Sequence, residues 1–354
     1  MRRIAIDVRA ALAPEPAGKG QWVRGFVSEL VRRDCPLLLL SHGPALPEAW
    51  ERPHVRCWAA PGGTLWHVRA AQHLRDESPP PLSFSPLSFI VPALIGKTVP
   101  SVPLVHDLIA FRGEPHDRKA TLVERLTLGR ALRQARHVCA ISASTKKDLL
   151  VRFPFLRQEE ISVLFAGPLR QEPPSARADE KVILSVGTLC PRKNQLRLIR
   201  AYALLPEDLR RTYTLVLAGG RGWQDEAIVH AARSTPGVQW RGYVPDSEYE
   251  RLLTHATLLA FPSLYEGFGM PVLDALQRGL PVLTSRRGSL GEVAGQAAVY
   301  VEPEDERSLA AGLEKLLRDR MLRERLRSAG PLQAAQFSWK KTVNLFLAAV
   351  QPLL

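Results

Sequence analysis

The sequence predicts an α/β protein built from two parallel-sheet domains. Three observations carry that prediction. The chain has 354 residues, about two domains' worth, each long enough to bury its own core. In both halves, short runs of Val, Ile and Leu alternate with segments whose apolar residues recur at three and four. Such alternation specifies strand–helix–strand units around a parallel sheet. Between the halves, Gly167 to Glu180 (G-P-L-R-Q-E-P-P-S-A-R-A-D-E) loses apolar periodicity and gathers three prolines, which marks a linker. The reading therefore places a first domain over 1–167, a linker over 168–180, a second domain over 181–335 and a final segment over 336–354.

In the first half, Arg3 to Val8 reads as a buried strand. The loop Arg9 to Gly20 closes on A-G-K-G-Q-W. A helix follows from Gln21, with Trp22, Val23, Phe26, Val27, Leu30 and Val31 on one face. Strand, glycine loop and helix is the order that brings phosphate to a helix N-terminus. No G-x-G-x-x-G follows, which weighs against a dinucleotide-dependent dehydrogenase. Leu37 to Leu40 is a short buried strand, and residues 37–105 alternate apolar runs with proline-rich turns. Val102 to Asp107 ends a strand on His106 and Asp107, where open parallel sheets bind ligands. Pro115 to Arg136 is a basic helical segment with Arg118, Lys119, Arg125, Arg130, Arg133 and Arg136 among leucines. Such a helix is either a solvated face or one turned toward anionic lipid or a pyrophosphate-linked acceptor. His137 to Ile141 is a strand, and Ser142, Ser144 and Thr145 cap the next helix.

The second half opens with the strand Lys181 to Val186, then G-T-L-C-P-R-K-N-Q and a helix carrying Leu196, Ile199 and Tyr202. Arg192 and Lys193 offer a planar fork and a point charge beside a helix start, a pairing suited to a diphosphate. Tyr213 to Gly220 and Val238 to Val244 are further strands, and Thr257 to Phe261 feeds the most informative stretch of the chain. There Glu266 opens the turn Gly267-Phe268-Gly269, and Met270 to Arg278 reads as a helix with Pro271 in its first turn. Asp274 follows eight residues after Glu266. That is about two helical turns, a spacing that would turn both carboxylates toward one bound molecule. Leu280 to Thr284 and Ala297 to Val301 complete the strands, and Phe337 to Val350 is the last helix.

The stretch from Phe261 to Leu283 resembles the E-x7-E signature of glycosyltransferase family 4, with Asp274 in the second acidic position. Other motifs follow in the family's order: the glycine loop at Gly18 and Gly20, H-D at 106–107, G-x-x-x-x-R-K-N from Gly187, and A-G-G around Gly219. The resemblance covers most of the chain and nearly all of the second half. It implies the GT-B fold, two Rossmann-like domains facing across a cleft, with the last helix crossing back to the first domain. It also implies transfer of a hexose from a nucleotide-sugar to an acceptor hydroxyl with retention of configuration. On that resemblance, Gly18 and Gly20 approach the donor diphosphate or the acceptor. His106, with Asp107 beside it, touches the transferred sugar or acceptor. Arg192 and Lys193 hold the diphosphate among the Gly187 and Gly219 loops, and Tyr243 and Val244 lie beside the base. Glu266 holds sugar hydroxyls, Gly267, Phe268, Gly269 and Met270 help through their backbone, and Asp274 holds the ribose. The leaving phosphate itself assists deprotonation of the acceptor.

A chain with 45% hydrophobic and 23% charged residues has the balance of a soluble globular protein. Asp7 falls where a signal peptide needs its apolar core, and no apolar run approaches the ~18–20 residues of a membrane span. Cys35, Cys57, Cys139 and Cys190 are widely spaced, which suits a reducing cytoplasm. The net charge is +13, and residues 1–170 carry 24 Lys and Arg against 15 Asp and Glu, the remainder 24 against 20. An excess of this size implies an anionic partner. No zinc-finger or RNA-binding motif accompanies it, which argues against nucleic acid. No D-x-D occurs, so Arg192 and Lys193 are expected to stabilise the leaving group without a metal or other cofactor. The expected partners are a GDP- or UDP-hexose donor and an unidentified acceptor, with a lipid-linked acceptor and peripheral contact with anionic membrane both fitting the basic first half. The alternatives are a nucleotide-sugar epimerase or hydrolase of the same fold, and a catalytically silent nucleotide-binding scaffold.

Overall fold

The computed structural model describes residues 2–14, 16, 18–63, 65–112, 118–168 and 179–354. Most of the expected linker, 169–178, and residues 115–117 at the expected start of the basic helix lie outside the described residues. Two compact units emerge: Met1–Leu169 with Phe337–Leu354, and Arg170–Gln336.

The first unit has strands β1 (Ile4–Asp7), β2 (Leu37–Ser41), β3 (Val55–Ala59), β4 (Leu82–Ser85), β5 (Ser101–Val105), β6 (Val138–Ala140) and β7 (Ile161–Val163). They form one parallel sheet in the order β3-β2-β1-β4-β5-β6-β7. The chain builds outward from β1 to β3, then returns to place β4 on the other side of β1. The carboxyl ends of β1 and β4 therefore flank a topological switch point. The helix Gly18–Arg32 buries Trp22, Val23, Phe26, Val27, Leu30 and Val31, the face its spacing predicts. Trp22 stacks on Phe26 at 4.7 Å between ring centroids, and Phe84 meets Phe346 at 4.6 Å. Phe346 lies on the final helix, Trp339–Val350, which this unit holds firmly. Trp339 donates its indole N–H to Pro168 O (2.9 Å), and Thr342 Oγ1 donates to Phe165 O (2.9 Å).

The second unit has β8 (Val182–Val186), β9 (Thr214–Ala218), β10 (Val238–Trp240), β11 (Leu258–Phe261), β12 (Val282–Thr284) and β13 (Ala298–Tyr300). Their order is β10-β9-β8-β11-β12-β13, again parallel, with its switch point between β8 and β11. Tyr202 is buried in the core of this unit and satisfies its hydroxyl on Tyr213 O at 2.7 Å. Both sheets are Rossmann-like, and the α/β class expected from the sequence holds.

Three local expectations need correction. The first helix begins at Gly18, not Gln21. Gly18 and Gly20 thus sit in its first turn, and a Cβ on Gly20 would lie 2.3 Å from Ala10 O. The strand expected to run to Val244 stops at Trp240, because Gly242 turns to φ +67°. Arg192 and Lys193 lie in a single 3-10 turn, Pro191–Lys193. The helix proper starts at Gln195, after Asn194 in a left-handed conformation.

Candidate functional site

The second unit gathers its charged groups at the β8–β11 switch point. Arg192 and Lys193 follow β8, Glu266 follows β11, and all three meet. Arg192 Nη1 lies 2.8 Å from Glu266 Oε2, and Lys193 Nζ donates to Glu266 Oε1 at 2.7 Å. Glu266 is only 7% exposed. Burial alone would raise its carboxyl pKa, but the two cations outweigh burial and bring it down to about 2. Burial pushes the Lys193 ammonium below its usual value, opposed by Glu266 and reinforced by Arg192. Two cations on one carboxylate leave an excess positive charge in a desolvated pocket.

The backbone around this trio is tightly fixed. Arg192 Nη1 also donates to Tyr265 O (2.7 Å), and Leu264 N donates to Arg192 O (2.9 Å). Asn194, 3% exposed at φ +64°, donates to Pro262 O (3.1 Å) and Pro303 O (2.6 Å). Its short amide satisfies two carbonyls while its backbone adopts a conformation that Asn tolerates better than most residues. Gln195 Nε2 reaches back to Thr188 O at 3.2 Å. Ser289 Oγ donates its one proton to Phe268 O (2.8 Å), with Glu266 O also in reach at 3.1 Å. Neither Asn194 nor Ser289 stood among the expected site residues. The signal for Asn194 was present in R-K-N, since Asn favours the left-handed turn ahead of a helix; Ser289 left no such mark.

Gly187 and Gly219 meet where these loops close. A Cβ on Gly219 would lie 2.1 Å from Gly187 O, and the Lys193 side chain passes 3.3 Å from the Cβ position of Gly187. Gly219 N donates to Gly242 O at 2.7 Å, which ties the Gly219 loop to the segment carrying Tyr243 and Val244; Tyr243 is exposed. Gly267 and Phe268 lead to Gly269, the residue before the helix Met270–Gln277, at φ +99°.

The helical spacing read between Glu266 and Asp274 needs correction. Glu266 precedes this helix and is no part of it, so helical spacing does not align the two carboxylates. Asp274 is 1% exposed, and its Oδ2 accepts from the Tyr249 hydroxyl at 3.0 Å. Burial and the neighbouring carboxylate push the Tyr249 pKa well up.

The remaining expected residues belong to the first unit. His106 Nε2 lies 2.7 Å from Pro86 O, so that nitrogen carries the proton and donates. Burial, with Lys19 adding to it, lowers the His106 pKa to about 3, which leaves a neutral ring. Asp107 Oδ1 accepts from Ile109 N at 3.1 Å, at the start of a short turn. Glu124 faces this corner. Burial raises its pKa to about 7, with Lys19 opposing and Asp107 reinforcing.

A buried carboxylate shared by two cations, set between glycine-lined loops at a parallel sheet's switch point, can receive an anionic ligand and hold its hydroxyls. Residues 169–333 match the family described as "Glycosyl transferases group 1". The second unit therefore carries the sequence of the group 1 glycosyltransferases. Among its relatives, the chain is 29% identical over 329 residues to the "O-antigen chain mannosyltransferase B" of Escherichia coli, covering 88% of this chain and 82% of that one. The sucrose-phosphate synthase of Thermosynechococcus elongatus superposes with a TM-score of 0.81 at 19% identity, covering 100% of this chain and 99% of that one. Anabaena HepE, solved in complex with UDP-glucose, superposes at 0.76 with 18% identity over 100% of this chain and 99% of its own. These two share the GT-B fold with this chain.

Proposed function

We propose that this chain is a glycosyltransferase that moves a hexose, with GDP-mannose the preferred donor, onto an acceptor hydroxyl of a growing cell-surface polysaccharide, with retention and without a metal ion. The observation that carries the reading is the Arg192–Lys193–Glu266 cluster. A diphosphate that displaces Glu266 from these cations would take their charge and leave the carboxylate to the sugar. Preorganised charges of this kind typically contribute about 10²–10³-fold to rate. The mannose and polysaccharide components rest on the name of the Escherichia coli relative.

The test is calorimetric titration with GDP, UDP, ADP and dTDP in EDTA, followed by turnover of the matching nucleotide-sugar and NMR of the product anomer. Tight binding of one nucleotide and an axial product from an axial donor support the reading. Strict metal dependence or an inverted product overturns it. Free sugar or an epimer formed without acceptor would favour the hydrolase or epimerase, and binding without turnover would favour the scaffold.

The basic helix supports a second element, peripheral contact with anionic membrane. Helix Arg118–Gln134 buries Leu128, Ala131 and Leu132, yet exposes Leu122 and Leu126 by 59% and 70% beside Arg118, Lys119 and Arg130. Apolar side chains protruding between cations match a negatively charged bilayer interface. Among the described residues no helix is long and apolar enough to cross a membrane. Co-sedimentation with phosphatidylglycerol vesicles, lost on Leu122→Asp with Leu126→Asp, supports the contact. Equal binding to phosphatidylcholine refutes the electrostatic part.

A further inference from the structure

The first unit carries a polar cluster of its own at the carboxyl ends of β1 and β2, built on one guanidinium. Arg9 donates from Nε and Nη2 to the two oxygens of Asp7, the last residue of β1, at 2.9 and 2.7 Å. The same guanidinium reaches two imidazoles. Nη1 lies 3.3 Å from His42 Nε2, and Nη2 lies 3.0 Å from His67 Nε2. Its flat face rests on Trp66, with Cζ 3.4 Å from the ring centroid. Trp66 is wholly buried and donates its indole N–H to Ser41 O at 3.0 Å. The platform is therefore rigid.

A guanidinium only donates. Each imidazole must accept at Nε2, and in its neutral form it carries its proton at Nδ1. Arg9 thus fixes the tautomer of two rings at once and leaves each with one N–H donor. His42 is exposed and His67 half-buried. Burial, then the Arg9 charge, keeps the His67 pKa below its ordinary value. Asp7 stands at the β1–β4 switch point of the sheet, where open parallel sheets bind ligands.

The Asp7–Arg9 pair already satisfies both charges, so the fold has no electrostatic need of the two histidines. The cluster as a whole offers imidazole N–H donors and a charge-compensated ion pair. That chemistry recognises a neutral molecule rich in hydroxyl groups better than a polyanion.

We propose that His42 and His67, held by Arg9, bind the hydroxyls of a saccharide acceptor and set which sugar is extended. The assignment rests on the glycosyltransferase reading above and adds the residues that select the acceptor sugar. It is tested on the full chain labelled with ¹⁵N-histidine, the two ring signals being assigned with His42→Gln and His67→Gln. Both rings are expected to show Nδ1-protonated tautomers and to shift saturably with at least one of the methyl glycosides of mannose, glucose, galactose and N-acetylglucosamine. His67→Gln should raise the KM for that acceptor about tenfold or more while kcat and the GDP affinity move less than about threefold. Protonation at Nε2, no saturable shift with any of the four sugars, or an unchanged acceptor KM overturns the proposal. Shifts caused by inorganic phosphate in place of the sugars overturn the hydroxyl assignment. Loss of all nucleotide binding in the unmodified protein would sink the glycosyltransferase reading itself, and is scored separately by calorimetry.

Discussion

Replacing Glu266 by Gln should tighten nucleoside diphosphate binding while it slows transfer. Glu266 holds both cations that a diphosphate needs, at 2.8 and 2.7 Å. Its carboxyl pKa falls from 4.5 to about 2 in spite of burial, which corresponds to about 3 kcal/mol of net preference for the charged form. A diphosphate that recruits Arg192 and Lys193 must compete with that charge and then lie beside it. Gln keeps the shape and a hydrogen-bonding oxygen but removes the repulsion. If a third to two-thirds of the ~3 kcal/mol is recovered, affinity rises roughly 5- to 30-fold, each 1.4 kcal/mol being tenfold. Calorimetry with GDP and UDP in EDTA reads this directly, since neither ligand carries the sugar whose hydroxyls Glu266 would hold. Turnover of the nucleotide-sugar should fall about 10²–10³-fold in the same variant. A folded Glu266→Gln protein that binds the diphosphate no better, or more weakly, would refute the competition and move the diphosphate away from these cations.

Lys193→Ala should weaken the same nucleotide and lose about 10²–10³-fold in turnover with its circular dichroism spectrum unchanged; near-normal turnover would remove Lys193 from the site. Asn194→Ala loses two hydrogen bonds to buried carbonyls and strains a left-handed residue. It should cost about 2–4 kcal/mol in denaturant unfolding, and a loss below ~1 kcal/mol would contradict the anchoring role. Glu124 has a folded-state pKa raised to about 7, so its ionisation opposes folding. Its contribution to stability is fully present below pH 4.5 and is lost as pH rises toward 7. Glu124→Gln should therefore stabilise the protein by about 1–3 kcal/mol at pH 8 and by nearly nothing at pH 4; equal effects at both pH values would show that packing, not ionisation of Glu124, sets the difference.

The sheets were legible where a central strand is a short apolar run between a turn and a helix face, as at Ile4–Asp7 and Val182–Val186. Edge strands were less so. Val55–Ala59 is half-exposed and carries Arg56 and Cys57, so its pattern lacks the buried run. Glu266, Arg192 and Lys193 were found from motif spacing, but their mutual pairing was not, since it joins residues 73 positions apart. Asp274 shows the limit from the other side. Counting residues made it a partner of Glu266, yet the helix starts only at Met270, and the carboxylate is engaged by Tyr249. The Arg9 cluster could not be read from spacing at all, because His42 and His67 are brought to one guanidinium only by the order in which β1 and β2 pair.

The place of the last helix has a consequence for how the protein is made. Trp22, Phe26 and Phe84 belong to the first quarter of the chain, but the rings that cover them, Trp339 and Phe346, are translated last. On a ribosome extending the chain at about 5–20 residues per second, these three rings wait through the synthesis of more than 250 residues before Trp339 and Phe346 can cover them. The segment Arg170–Gln336 can finish folding while its predecessor is still incomplete. A premature stop a few residues before Trp339 would therefore release a protein whose second unit is sound and whose first unit is a ready substrate for chaperones and proteases.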